Sequence, residues 1–178
     1  MRISLKLTLA FSVLVAFVIA MGFLGMKYIG DIHRSLENVS NNALPSVRYS
    51  GAIRAEALDF RNRETQLLLV KNAKEMSELE SKLAVTLGNI KKNEQNYELL
   101  PSRDEEKAVY AAYKNQLALY LASHDKFVKI VVAGDHDASM AYFRGEGRKV
   151  FRGFLPTIDD LLTLNIKSAE SSRVLAEE

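Results

Sequence analysis

The stretch Leu7–Met26, LTLAFSVLVAFVIAMGFLGM, contains no charged residue and lies between Lys6 and Lys27. At about 1.5 Å of rise per residue, a helix of this length spans roughly 30 Å, the thickness of the hydrocarbon core of a bilayer. In lipid the backbone must satisfy its own hydrogen bonds, and a single segment can do so only as a helix. The stretch therefore predicts a transmembrane helix, and the polar remainder predicts a domain held at a membrane.

A cleaved secretory signal is the alternative for this stretch, with Val18-Ile19-Ala20 as the cleavage site. Against it, the apolar run continues to Met26 and is longer than the apolar region of a usual signal peptide. The sequence therefore favours an uncleaved anchor in the inner or plasma membrane.

The orientation of the anchor follows from what flanks it. The positive-inside bias is slight, because Arg2 and Lys6 precede the span while Lys27 and Arg34 follow it. A long domain after a span crosses largely regardless of its charge, which favours a cytoplasmic amino terminus. The prediction is a cytoplasmic N-terminus over 1–6, a single transmembrane helix over 7–28 and a periplasmic or extracellular domain over 29–178.

Composition narrows the class of the domain. The chain is 48% hydrophobic and 26% charged, with 9 Gly and 3 Pro, so it is neither disordered nor rich in turns. A net charge of +2, with scattered basic residues, argues against nucleic acid as a partner. The absence of cysteine excludes disulfides and thiolate metal sites, and no motif calls for a cofactor.

Two apolar stripes run along the segment from Gly30 to Val70, which indicates a helix with two packing partners. The first stripe has heptad spacing. Pro45 removes a backbone donor, so we expect a kink or a new helix start around 41–45. The first stripe comprises Leu44, Val47, Gly51, Arg54, Leu58, Arg61, Thr65 and Leu68, and the second comprises Tyr49, Ile53, Ala57, Phe60 and Leu67.

Three more helices follow. The second is predicted from Ala73 to Tyr97, ending before Pro101. Ser102 and Glu105 form a capping box that opens the third, which Gly134 and its neighbours end. The fourth starts near Asp137 and runs to the end of the chain, bent at Pro156. Links this short make neighbours antiparallel, so the fold class is all-α, an up-down-up-down four-helix bundle after a transmembrane helix.

This organisation resembles the sensor region of bacterial methyl-accepting chemotaxis proteins over the whole chain. The residues that carry the resemblance are Asn42-Ala43-Leu44-Pro45 with Val47, Phe60-Arg61-Asn62-Arg63-Glu64, Gly145-Glu146 with Arg148 and Phe151, and Leu161 to Asn165 with Ala169. The resemblance implies a homodimer that binds a small solute outside. It also implies cytoplasmic signalling partners reached through a C-terminal part missing here. The same sensor module occurs in histidine kinases and cyclic-dinucleotide enzymes such as diguanylate cyclases.

Arginines on the first heptad stripe are the candidate ligand-binding residues. Arg54 and Arg61 occupy positions where a packed helix normally carries Leu, and a charge there is costly unless it is paired. A guanidinium fits a carboxylate with two parallel bonds, so the two residues can hold a short dicarboxylate. Thr65 adds a hydroxyl on the same face, and Arg144 and Arg148 of the fourth helix lie near the same membrane-distal level. The predicted ligand is a small organic acid or amino acid.

Structural pairing is the open alternative for these arginines. Glu56, Asp59, Glu64 and Glu146 are close enough in sequence to neutralise them. The arginine spacing of the chemotaxis aspartate receptors is not reproduced, so neither their residues nor their specificity carries over.

Other candidates are weaker. Asp135-His136-Asp137 reads as a helix-connecting loop with a cap rather than a metal site. The stripe of Tyr110, Tyr113 and Tyr120 reads as core or dimer seam rather than as an aromatic pocket. His33 and His124 have no partner triad, and we expect no enzymatic activity in these residues. Two alternatives to a chemoreceptor remain: the sensor domain of a histidine kinase or diguanylate cyclase, and a membrane-anchored bundle without any ligand.

Overall fold

The computed structural model describes the backbone of residues 3–177 and the side chains of residues 11–174. Within that range it is almost entirely helical and contains no strand, which confirms the all-α prediction. The elements are α1 (Ile3–Asn38), a π-helical turn (Val39–Ala43), α2 (Leu44–Leu67), α3 (Ala73–Glu98), α4 (Asp104–Val132), α5 (His136–Arg144) and α6 (Glu146–Glu177).

A single rod leads from the apolar N-terminal segment into the bundle. The chain is helical without a break from Ile3 to Leu67, through α1, the π turn and α2. This rod carries the one described helix that is long and apolar enough to cross a membrane, and its apolar window, with a mean hydropathy of 2.0, has no residue buried against protein. The apolar face of this window is therefore free to contact lipid.

The predicted kink or new helix start around 41–45 is confirmed as a new start: α2 begins at Leu44, directly after the π turn, and Pro45 lies in its first turn. The chain passes this proline through the π turn, in which the amide of Leu44 donates to the carbonyl of Val39, five residues back. Proline lacks an amide donor and its ring clashes with the carbonyl four residues earlier in an α-helix. The wider turn accommodates it while the rod remains helical.

The remaining helices complete a four-helix bundle around α2. The rod packs against α3 on one side and against α6 on the other, and α4 packs against α6. The end of α1 also lies against α6, so the last helix returns to the base of the first. The bundle is therefore antiparallel as predicted, with α5 packed on α4 and α6 at the end of the bundle far from α1, which we call the distal end.

Two helix boundaries differ from the predictions. The expected fourth helix is divided into α5 and α6 at Gly145, whose backbone angles are not helical. Glycine suits this position because a Cβ there would lie 2.9 Å from the carbonyl of Ala141. The Ser102 capping box is wrong, since α4 begins at Asp104 without a side-chain cap. The capping pattern lies instead at α3, where Asn72 accepts from the amide of Glu75 at 2.9 Å and donates to its carboxylate at 2.7 Å.

The core lies on the second apolar stripe of α2. Ile53, Ala57, Phe60 and Leu67 on this stripe are at most 2% exposed, whereas Leu44 on the heptad stripe is 56% exposed. The heptad stripe therefore lies beside the core face: it borders α6 and is partly exposed to solvent. Opposing the core stripe are the buried residues Leu79, Leu83, Ile90 and Tyr97 of α3, Tyr113, Leu117, Tyr120 and Phe127 of α4, and Phe154, Ile158 and Leu161 of α6.

Candidate functional site

Arg54 links the two helices that lead toward the membrane. Its Nε lies 2.5 Å from Oδ1 of Asp159 on α6. The helices are close here, since a Cβ added at Gly51 would lie 3.9 Å from the side chain of Leu162. The side chains of Arg54 and Asp159 are 38% and 41% exposed, so solvent reaches the ion pair and its contribution to stability is small. The structure therefore places Arg54 in an accessible ionic link between α2 and α6.

Arg61 is bonded to protein groups and is largely buried. Its Nη1 lies 2.9 Å from Oε2 of Glu64, and its Nη2 donates to the carbonyl of Phe143 at 3.1 Å. The guanidinium also lies 3.7 Å from the centre of the Phe143 ring, a cation–π contact. Only 15% of the Arg61 side chain is exposed. This arginine thus has the structural pairing that the sequence left open as the alternative.

The other three predicted ligand residues lie at the surface of the distal half. Thr65 is exposed, and its hydroxyl donates to the carbonyl of Arg61 at 3.2 Å. Arg144 ends α5 and Arg148 lies in the first turns of α6, and both are exposed. Arg61 on α2 contacts Phe143 on α5, so α5 lies against the end of α2. This agrees with the prediction that Arg144 and Arg148 lie near the same membrane-distal level as Arg61. Whether any of them contacts a ligand stays a prediction.

The carboxylate of Glu64 organises a buried cluster under Arg61. Glu64 is 1% exposed. One of its oxygens accepts from the hydroxyl of Tyr120 at 2.5 Å, and the other lies 2.9 Å from Nδ1 of His124. Burial, followed by the charge of Glu64, raises the pKa of Tyr120 far above its ordinary value, so the phenol keeps its proton and donates. His124, which showed no partner in the sequence, is therefore part of this cluster.

Further pairs of tyrosine and glutamate continue along the bundle between α3 and α4. Tyr113 donates to Glu94 at 2.9 Å, and the ammonium of Lys114 lies 3.1 Å from the other oxygen of that carboxylate. Tyr97 donates to Glu106, which is 6% exposed. Burial is the main cause that raises the pKa values of Tyr97 and Tyr113 above their ordinary range. The tyrosine stripe of α4 thus belongs to the core and does not line an aromatic pocket, in agreement with the interpretation that the sequence favours.

A polar pocket lies at the end of the bundle nearest α1, which we call the proximal pocket. It has a volume of about 270 Å³ and is lined by the end of α1, the π turn, the α3–α4 turn and α6. Its lining includes Glu106, Asn42, Asn165 and Arg103. Its polar residues come from distant segments and form no motif, so the sequence does not predict it.

A second cavity lies in the distal half, between α3 and α4. This groove has a volume of about 570 Å³ and a largely apolar wall that includes Phe60, Leu83 and Leu87, with His124 also lining it. Asp135, in the segment considered for a metal, accepts from the amide of Ala138 at 2.9 Å and so caps α5. The described part of the chain shows no group of three or more His, Cys, Asp or Glu residues placed to hold a metal ion.

A family of known proteins matches the chain. The model of a family described as a four-helix-bundle sensory module for signal transduction matches residues 1–174. The matched range contains the apolar N-terminal helix, the π turn and nearly all of the bundle. No curated protein matches the chain significantly.

Proposed function

The chain belongs to the four-helix-bundle sensory modules of signal transduction, and from this premise we propose that it is the ligand-sensing region of a transmembrane chemoreceptor. The bundle lies outside the cytoplasmic membrane, the apolar part of α1 spans the membrane, and the receptor acts as a homodimer. The solute is a small organic acid or amino acid with a carboxylate.

The observation that carries the proposal is the meeting of the first and last helices at the base of the bundle. The rod from Ile3 to Leu67 joins the apolar segment to the distal end, and α6 returns beside it. Near the base, Nδ2 of Asn38 donates to the hydroxyl of Ser172 at 3.1 Å. A displacement of α6 against the rod therefore changes contacts at the base, which is what a sensor needs in order to signal across a membrane.

Arg54 is the residue that we propose as the first contact of the ligand carboxylate. Its present partner, Asp159, is itself a carboxylate on α6, and water reaches both side chains. A solute carboxylate can replace Asp159 on the guanidinium and accept two parallel hydrogen bonds in place of the single bond to Asp159. This exchange removes an ionic link between α2 and α6, and so favours a different packing of α6. The ligand shifts the equilibrium only by its difference in affinity for the two packings.

The other predicted residues have secondary roles in this proposal. Arg61 contacts a ligand only by giving up part of its bonding to Glu64 and Phe143. Thr65, Arg144 and Arg148 are exposed on the distal half and are available to the second carboxylate of a dicarboxylate. The second copy of the homodimer packs on the heptad stripe, where Leu44 and Leu58 are 56% and 37% exposed.

Calorimetric titration of the full chain in a non-ionic detergent with succinate and a panel of amino acids tests the proposal. Arg54→Gln should weaken the binding of a carboxylate by roughly tenfold or more, the effect of one charge-assisted hydrogen bond. Asp159→Asn should tighten it, because the competing carboxylate is gone. Arg63→Gln is the matched control, since Arg63 pairs with Asp59 on its own helix.

Three outcomes contradict the proposal. If no carboxylate in the panel binds, direct sensing of such solutes is wrong. If Arg54→Gln and Arg63→Gln weaken binding equally, the ligand is on another face. If Asp159→Asn leaves the affinity unchanged, the exchange of partners is wrong.

A further inference from the structure

We propose that the proximal pocket binds a small solute carrying a primary ammonium group, held by the carboxylate of Glu106 and the side-chain oxygen of Asn42. This site differs from the Arg54 face in position and in the sign of the charge that it takes. Neither proposal depends on the other.

Glu106 provides the charge for this site. It is 6% exposed and accepts a hydrogen bond from Tyr97, whose phenol keeps its proton because burial raises its pKa. No cation pairs with Glu106 among the residues that the structure describes, whereas Glu64 has Arg61 and Glu94 has Lys114. A buried carboxylate without a cation is costly. An ammonium group in the pocket removes that cost.

Asn42 provides a second acceptor that has no donor. Its Oδ1 is buried and, among the described side chains, is the one buried polar atom without a hydrogen-bond partner. An unsatisfied buried acceptor costs roughly 1–3 kcal/mol. Asn42 belongs to the π turn, a kind of helix distortion that is frequent at functional sites. Asn42 and Glu106 line the same pocket, so both acceptors belong to the wall that a bound solute would meet.

The rest of the lining fits a small polar solute. The amide of Asn165 is fixed, since its Nδ2 donates to Tyr97 at 3.1 Å and to Ser50 at 3.3 Å. Arg103 also lines the pocket but is exposed, so water screens its charge. A volume of about 270 Å³ admits a compound of a few heavy atoms together with water.

The height of the pocket argues for a dissolved solute rather than a lipid headgroup. At about 1.5 Å of rise per residue, Asn38 at its edge stands roughly 16 Å beyond Lys27 at the end of the apolar stretch. The headgroup layer occupies only roughly 5–8 Å on each side of the hydrocarbon core. A solute bound here contacts the rod, the α3–α4 turn and α6 together, and so clamps α6 at the base.

Titration calorimetry of the full 178-residue chain in a non-ionic detergent tests this site, with ethanolammonium chloride as the probe. Sodium chloride at about 0.15 M in the buffer prevents simple cation screening from producing the signal. We expect saturable binding of ethanolammonium and none of tetramethylammonium, which has the same charge but no N–H donor. Glu106→Gln should weaken binding by roughly tenfold to a hundredfold, because it keeps the acceptor for Tyr97 but removes the charge.

Two further variants complete the test. Glu98→Gln is the matched control and should leave the affinity unchanged, because Glu98 pairs with Tyr110 and Lys114 on the surface. Asn42→Asp should tighten binding by adding a charge at the unsatisfied acceptor, and it decides the question if Glu106→Gln fails to fold. No saturable heat, equal binding of tetramethylammonium, or unchanged affinity in Glu106→Gln or Asn42→Asp would overturn the proposal.

Discussion

The two ends of the bundle each bury a carboxylate beside a tyrosine, and they complete it differently. At the distal end, Glu64 accepts from Tyr120 and is also met by Arg61 and His124. At the proximal end, Glu106 accepts from Tyr97 and faces a polar pocket, with no ion-pair partner among the described residues.

The difference separates a group that stabilises the fold from a group that is available to a ligand. Every oxygen of Glu64 has a partner from the protein, and the arginine beside it is bonded to Glu64 and to the carbonyl of Phe143. Glu106 has its phenol but no ion-pair partner within the described part of the chain, and an acceptor without a donor lies on the same pocket wall. A charged residue on a buried face therefore indicates a ligand site only if no neighbouring group of the protein already neutralises its charge.

The largest expected effect comes from disrupting the buried cluster of Glu64, Arg61, Tyr120 and His124 at the distal end. Arg61→Met leaves Glu64 as a buried charge without its cation, and should lower the free energy of unfolding by about 3–5 kcal/mol. Urea unfolding followed by circular dichroism measures it. Arg63→Met removes an ion pair whose side chains are 26% and 39% exposed, and should cost at most about 1 kcal/mol. Equal costs for the two variants would show that Arg61 is not needed to compensate Glu64.

Alkaline unfolding tests what the two ends share. Burial raises the pKa values of Tyr97, Tyr113 and Tyr120, so these phenols stay protonated in the folded chain at a pH where the unfolded chain ionises. Above about pH 10 the unfolded state binds fewer protons, and stability should fall by up to about 1.4 kcal/mol per pH unit for each tyrosine. The part of the phenolate absorbance that comes from these three buried tyrosines should therefore rise together with the loss of helical circular dichroism. Ionisation of these three phenols in the folded chain would contradict the prediction.

A smaller effect compares the two ends directly. Tyr120→Phe removes a donor from the enclosed Glu64 and should lower the free energy of unfolding by about 1–3 kcal/mol. Tyr97→Phe should cost less than that, because water in the proximal pocket can replace the lost donor to Glu106. Denaturant unfolding of both variants gives the difference. If Tyr97→Phe costs as much as Tyr120→Phe, the proximal carboxylate is enclosed as well and the contrast between the ends is wrong.

The smallest effect concerns a carboxylate at the surface, which serves as a reference for the two buried ones. The hydrogen bond from Arg63 lowers the pKa of Asp59, and a hydrogen bond from Thr86 adds to it. A lowered pKa stabilises the folded chain above about pH 4 and the effect is lost as the pH falls through the folded value. Asp59→Asn should thus reduce stability by less than about 1 kcal/mol at neutral pH, and by nothing in acid. A deficit that persists in acid would assign the effect to packing.

Much of the fold was accessible from the sequence because it depends on local signals. The extent of α3 from Ala73 and its buried face of Leu79, Leu83 and Ile90 follow from helical periodicity. The division at Gly145 was not predicted, because it depends on a close approach to a carbonyl that a residue pattern does not reveal.

The candidate site was less accessible, for a different reason. Glu64 was among the partners that the sequence offered for Arg61, but its burial depends on Tyr120 and His124, which α4 brings to its carboxylate. Arg54 likewise meets Asp159 from α6. Pairings between residues far apart in the sequence depend on how the helices pack, and no spacing rule contains that information.

The π turn between Asn38 and Leu44 has a consequence for how the length of the rod can vary. A turn closed by a bond to the fifth residue back holds one residue more than an α-helical turn, while the helix on either side keeps its facing. Deleting the exposed Ser40 would remove that extra residue without rotating α1 against the bundle, although Pro45 would then lose the wider turn that accommodates it. The same deletion within α1 would swing the membrane segment by about 100° about its axis. A change of length at the π turn thus preserves the facing of the membrane segment, and a change elsewhere in α1 does not.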